Sequence, residues 1–167
     1  MSEENTLFID DVPLDQRKEF FPILEDSFEG WYLRHSKRTL LEIGLVRQAR
    51  VGQEAAGLVM LKDLGNKLGY VYYIAVAKQF RGKGIGGKLL DNSLEYFATE
   101  DFREVYAGIE EDNEESSKLF LSRGFRKMTR GELAKKYGTM NSFVLMRKML
   151  IVYGEIMLMK ELDLKIA

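Results

Sequence analysis

The sequence predicts a mixed α/β fold, with a mostly antiparallel central sheet flanked by helices, on three observations. Residues 13–28 carry Leu14, Phe20, Phe21, Leu24 and Phe28, largely at helical spacings. Residues 44–51, 55–61 and 69–76 are apolar, β-branched segments parted by glycine-containing turns, and helical and strand patterns alternate beyond them. At 167 residues the chain suits one domain, 1–167, with its own core.

A short strand is expected over residues 6–9. Pro13 opens the helical stretch 13–28, whose apolar stripe faces a core because residues three and four apart share one side of a helix. Gly30 breaks it, and residues 31–41 form a second short helix. The segments 44–51, 55–61 and 69–76, separated by Gly-Gln and Gly-Asn, form an antiparallel meander. Helix resumes over 84–99 with Leu89, Leu90, Leu94 and Phe97 on one side. Residues 104–110 read as a strand, and Asn113 caps a helix that runs to Arg123 and closes at Gly124. Thr129 with Glu132 resembles a capping box. An extra helix is expected around 131–151, carrying Met140, Phe143, Val144, Leu150 and Ile151, before a last strand at 155–162. A rival reading makes 143–149 the strand and leaves the tail as an appendage, since short apolar runs do not separate helix from strand by period. The first reading is preferred.

Hydrophobic residues make up 46% and charged residues 31%, with two prolines, which is a globular composition. A net charge of −1 supplies no field to hold nucleic acid or an anionic membrane, and neither partner is expected. Without cysteine there is no disulfide, thiolate metal site or cysteine nucleophile, and the single His35 builds no histidine cluster, so no metal is expected. Backbone, carboxylates, hydroxyls and tyrosines are left to do the chemistry. The acidic start MSEENTLFIDD lacks a basic-then-apolar leader, and no apolar run approaches the roughly 20 residues of a membrane span. A cytoplasmic location is expected, and the methionine-rich apolar last third suits a homodimer interface.

Arg81, Gly82, Lys83, Gly84, Ile85, Gly86 and Gly87 fall between a predicted strand and a predicted helix. Glycines there let the backbone turn tightly and bring N–H groups to an anion, while the helix N-terminus adds partial positive charge. Arg81, Lys83 and Lys88 supply full charges, and a pyrophosphate is the natural guest. A glycine-rich connection with solvated basic residues is the plain alternative. A P-loop needs Ser or Thr after its Gly-Lys pair, and a dinucleotide fingerprint needs a parallel βαβ unit; neither fits.

Arg81, Gly84 and Gly86 match [Q/R]-x-x-G-x-[G/A], the first motif of the GNAT superfamily of acyl-CoA-dependent N-acetyltransferases, behind a strand ending Ile74, Ala75, Val76. NEESSKLFLSRGF, from Asn113 to Phe125, is similar to the second motif, N-x-x-A-x-x-L-Y-x-x-x-G-F, with Asn113, Leu119, Gly124 and Phe125 in register. The chain therefore resembles that superfamily, best over residues 42–126.

The resemblance implies a sheet with a splayed strand pair and transfer of acetyl from acetyl-CoA to a primary amine by direct attack in a ternary complex. It puts the pyrophosphate of the cosubstrate on residues 81–86 and the pantetheine arm along Ile74, Ala75 and Val76 like an added strand. A backbone N–H near Val76 then stabilises the oxyanion, and Asn113 and Phe120 lie on the cosubstrate side. A protein N-terminus or lysine is the favoured acceptor, because residues 74–86 resemble the strand and loop of N-terminal acetyltransferases. A polyamine or other small amine, a catalytically weak CoA-binding regulatory module, and a phosphate binder outside the superfamily are the alternatives.

An alkyl ammonium of pKa about 10 must lose a proton, so a base is wanted. Tyr70 stands where several members place Glu or Tyr, although strand packing explains tyrosines at 70, 72 and 73 equally well. N-terminal acetyltransferases carry a glutamate five residues before the motif asparagine; here that residue is Gly108, and Glu110, on the same face by alternation, is the substitute. The carboxylates at 110, 111, 112, 114 and 115 complement the helix dipole or form an acidic rim for a cationic amine. The motif tyrosine that returns a proton to the CoA thiolate is Phe120 here, leaving water, Ser116, Ser117 or Tyr106 for that task. His35 is expected at the surface or in helix packing, Trp31 and Tyr32 in core packing in preference to lining an acceptor pocket, and Tyr153 loosely resembles a substrate-side tyrosine of N-terminal acetyltransferases.

Overall fold

The computed structural model describes residues 6–163. Its strands are β1 (Leu7–Asp11), β2 (Leu45–Val51), β3 (Glu54–Gly65), β4 (Leu68–Val76), β5 (Glu104–Glu110), β6 (Arg126–Met128) and β7 (Glu155–Glu161). Its helices are α1 (Phe21–Ser27), α2 (Gly30–Glu42), α3 (Ile85–Thr99), α4 (Glu114–Leu121), α5 (Arg130–Tyr137) and α6 (Thr139–Met149). The strands join in the order β1-β2-β3-β4-β5-β7-β6. Pairs β1–β2, β2–β3, β5–β7 and β6–β7 are antiparallel and β4–β5 is parallel, so the fold is the expected mixed α/β one with a mostly antiparallel sheet. Among the described residues no helix is long and apolar enough to cross a membrane.

The chain forms two compact units, one running to Lys62 with Tyr73–Ser93 and one comprising Asp63–Tyr72 and the chain from Leu94 on. In the first unit, the stretch expected as one helix over 13–28 is a 3-10 segment, Leu14–Phe20, followed by α1. Pro22 sits in the first turn of α1, and inside a continuous helix its ring would strike a carbonyl one turn back. Arg17 reinforces the break: buried, it donates to Leu40 O at 3.0 Å, Ile43 O at 2.5 Å and Val12 O at 3.4 Å, satisfying carbonyls at the end of α2. Gly30, at φ +54°, parts the helices: α1 ends at Ser27 and α2 opens at Gly30. The β3–β4 hairpin turns on Asn66 and Lys67, both left-handed at φ +54° and +63°, as a two-residue turn of matching twist requires.

The second unit has its own core, in which Leu64, Leu68, Tyr70, Tyr106, Leu133, Leu145, Met149 and Met157 are buried together. The capping box forms, Thr129 Oγ1 accepting from Glu132 N at 3.1 Å and Glu132 Oε2 from Thr129 N at 2.7 Å. Gly138, at φ +83°, separates α5 from α6, so two helices stand where one was expected over 131–151, and β7 follows them. Residues 143–149 are helical because Leu145 and Met149, four apart, face the core while Phe143 is exposed. Strand β6 was not expected: three residues pairing with Met157–Met159 are too few to show a period.

Candidate active site

In the first unit, β4 delivers the chain to the glycine phrase. Ala77 N donates to Ala56 O at 2.8 Å, so Ala75 and Ala77 turn their backbone groups to β3. Ile74 and Val76, alternating with them, turn theirs to the other edge. The approach of β3 is close: a Cβ on Gly57 would lie 2.8 Å from Ala75 O and 3.2 Å from Leu89 Cδ1. The parallel register with β5 covers Leu68–Val71, and β4 continues to Val76 beyond it.

Gly82 and Gly84 take φ +75° and +77°, with open space where a Cβ would be, so conformation alone demands glycine there. Lys88 N donates to Gly84 O at 3.1 Å, and α3 begins at Ile85. The N–H groups of Ile85, Gly86 and Gly87, in its first turn, have no acceptor inside the helix. Those N–H groups at a helix N-terminus, behind two left-handed glycines, suit a pyrophosphate. Lys83 is exposed, its ammonium 5.3 Å from the Phe80 ring centre, and Lys88 is exposed as well. Arg81 is engaged otherwise: its guanidinium donates to Val76 O at 3.1 Å, Asp26 O at 2.9 Å and Ser27 Oγ at 3.3 Å. It fixes the loop to the end of α1 as much as it offers charge.

Near this loop's strand, His35 Nδ1 lies 2.8 Å from Tyr73 Oη and the imidazole stacks on Trp31 at 4.7 Å. Burial pushes the His35 pKa down, Arg38 adding to it. Trp31, expected in packing, is 44% exposed, because the buried stripe of α2 runs through Ser36 and Leu40 and position 31 lies off it.

In the second unit, Tyr70 is buried against Tyr106 and meets Tyr72 edge-on at 5.2 Å. Its hydroxyl points at Gly108, 3.0 Å from where a Cβ would stand. Glu110 is exposed at the end of β5, directly across from Glu155 of β7. Glu155 reaches the same place as Tyr70: its Oε2 is 3.6 Å from that Cβ position and accepts from Val152 N at 2.9 Å. Sequence reasoning missed it, since residues 108 and 155 meet only through the β5–β7 pairing; an unfilled strand position at 108 was the one hint.

Asn113 caps α4, its side chain accepting from Ser116 N at 3.0 Å, and Phe120 is buried edge-on to Phe125 at 5.0 Å. Tyr106 is removed from the proton donors considered for the thiolate: it is fully buried, donates to Glu104 Oε2 at 2.5 Å, and is pushed far up by burial and by that carboxylate. Tyr153 is fully exposed. Among the described residues no group of three or more acidic or histidine side chains could hold a metal ion.

The model of the acetyltransferase (GNAT) family matches residues 7–125. The chain is similar to phosphinothricin N-acetyltransferase of Streptomyces coelicolor, 29% identical over 122 residues that cover 70% of this chain and 71% of that protein. It also superposes on a Bacillus subtilis acetyltransferase solved in complex with CoA, with TM-score 0.70 and 18% identity, covering 95% of this chain and 100% of that one. The ribosomal-protein-S18-alanine N-acetyltransferase of Escherichia coli superposes with TM-score 0.71 and 15% identity, covering 95% of each chain. At these identities the structural likeness is one of fold.

Proposed function

This chain belongs to the GNAT acetyltransferase family, and on that premise we propose that it acetylates primary amines of proteins or peptides, an N-terminus or a lysine side chain. The family's reaction moves an acetyl group from acetyl-CoA to an amine. The observation that supports the cosubstrate assignment is the left-handed turn at Gly82 and Gly84 leading into the first turn of α3, whose N–H groups would receive one anion. Backbone at 81–86 would hold the pyrophosphate, Lys83 would add charge, and the outward groups of Ile74 with the N–H of Val76, whose carbonyl accepts from Arg81, would pair with the pantetheine arm. Asn113 and Phe120 support α4 in this reading, one by capping it and one by packing.

A peptide acceptor is favoured by the segment before β7. Met140, Phe143 and Val144 of α6, and Leu150 and Tyr153 after it, expose apolar surface. A peptide acceptor would have apolar side chains of this kind to lie on, which a small amine does not need. A small-amine acceptor is the second reading, favoured by the similarity to phosphinothricin N-acetyltransferase.

Thiol release from acetyl-CoA separates them, over peptides with free N-termini, lysine peptides with blocked N-termini, polyamines and phosphinothricin. The peptides should show the highest kcat/KM. Turnover confined to small amines would refute the acceptor assignment, and a CoA-induced thermal shift without turnover on any amine would favour a binding module.

A further inference from the structure

In the second unit, strands β6 and β7 are antiparallel neighbours that a short hairpin could join, yet residues 129–154, with α5 and α6, run between them. On the core side of α6, Ser142, Leu145 and Met149 are buried. At 3.6 residues per turn, Met140, Phe143, Val144, Arg147 and Leu150 fall on the opposite side, and all five are exposed, Met140 by 76% and Phe143 by 64%. Tyr153 follows them, fully exposed. Helix α6 is therefore apolar on two faces, and the outer one adds nothing to the core.

Size, composition and charge together say what covers that face. Its five apolar side chains expose on the order of 600 Å², close to the roughly 800 Å² that each partner of a standard interface buries. Scattered apolar residues on a surface need no explanation, but a continuous patch of this size does. Met, Phe, Tyr and Arg are types that interface centres favour, while Lys, Glu and Asp, which they avoid, are absent from the stripe. The one lysine of α6, Lys148, turns to Leu64 O at 2.8 Å. Opposite charges stand at the two ends. Lys135, exposed in the last turn of α5, comes just before the first apolar residue. Beyond the last, Gly154 O accepts from Glu111 N at 2.9 Å, which sets the exposed Glu110, Glu111 and Asp112 beside Tyr153.

We propose that the outer face of α6 joins two copies of this chain about a two-fold axis, the two helices antiparallel, so that the basic end of each strip meets the acidic end of the other. A two-fold contact must be self-complementary, and antiparallel pairing of a strip with opposite charges at its ends meets that condition. Parallel pairing would set like charges together. An anionic membrane is the other surface that an apolar face with basic residues can find, but the carboxylates at 110–112 repel it. An acceptor peptide lying on these side chains would displace the second copy, so the dimer is the form free of acceptor.

Sedimentation velocity of the full chain at pH 7 tests this. Wild type should be a dimer at micromolar concentration. Phe143→Glu should raise the dissociation constant about 10²-fold or leave a monomer, while its far-UV circular dichroism matches wild type because residue 143 is exposed. Val144→Glu, on the same face, should do likewise. Lys135→Glu should weaken the dimer severalfold by making both ends acidic, and adding Glu111→Lys with Asp112→Lys should restore it. A wild type still monomeric at about 100 μM would overturn the second copy as the occupant and leave the face to a different partner. A dimer that survives both Phe143→Glu and Val144→Glu would overturn the proposal by placing the interface elsewhere. A Lys135→Glu dimer that the two lysines do not restore would overturn the antiparallel arrangement.

Discussion

Removing Glu104 should uncover an energetic coupling to Tyr106 that can be worked from the structure. Glu104, at the start of β5, is buried and accepts from Tyr106, Tyr137 and Lys136 together. Tyr106→Phe deletes one donor to a carboxylate that keeps two others, at a cost of about 1–2 kcal/mol. Glu104→Ala removes the acceptor of three donors and leaves the Tyr106 hydroxyl fully buried with only Tyr137 beside it, while Lys136, partly exposed, regains water; the cost is about 2–3 kcal/mol. In that background Tyr106→Phe deletes a hydroxyl that has already lost its carboxylate, so its effect should be near zero. The coupling is then about 1–2 kcal/mol. Urea unfolding of the four proteins at pH 7 measures it, with the midpoint of Glu104→Ala about 1 M below wild type for a slope of roughly 2 kcal/mol/M. If Tyr106→Phe costs the same with and without Glu104, the buried network does not hold β5 in the way described.

The same carboxyl predicts an acid limb of stability. Burial pushes its pKa up, donation from Lys136, Tyr106 and Tyr137 more than reverses that, and the group ends below the ordinary carboxylate range. A folded pKa lowered in this way gives stability that is present above the unfolded value of about 4.3 and is lost as pH falls through the folded one. Thermal melts from pH 7 to pH 3 should show Glu104→Gln losing less on acidification than wild type. Gly57→Ala would set a Cβ 2.8 Å from the Ala75 carbonyl, a backbone atom that yields only if β4 moves. It should cost about 1–3 kcal/mol and weaken CoA binding severalfold by calorimetry; an unchanged Kd would count against Ile74 and Val76 as cosubstrate contacts. At Gly84 space is open but φ is +77°, so Gly84→Ala should cost about 1–2 kcal/mol through conformation alone and weaken CoA binding. Wild-type affinity in that variant would show that the left-handed turn does not organise the anion site.

What the sequence determined by itself was local and periodic. The meander, the strand at 104–110, the caps at Asn113 and Thr129 and the glycine turn were legible because each is written in neighbouring residues, as a period of two or 3.6 or as a side chain bonding backbone a few residues away. The split at Pro22 was legible too, had its clash with the preceding turn been weighed against the apolar spacing. What only the tertiary structure decided depends on residues far apart in the chain. Strand β6 exists because β7 offers it a partner, Arg81 is drawn to carbonyls at 26 and 76, and Trp31 stands outside the packed stripe of its helix. Above all, the carboxylate beside Gly108 comes from Glu155 on another strand, and nothing around residue 155 in the sequence announces it. Hydrogen-bonded periods are local properties of a backbone, whereas a catalytic constellation is a coincidence of side chains in space, set by register and packing.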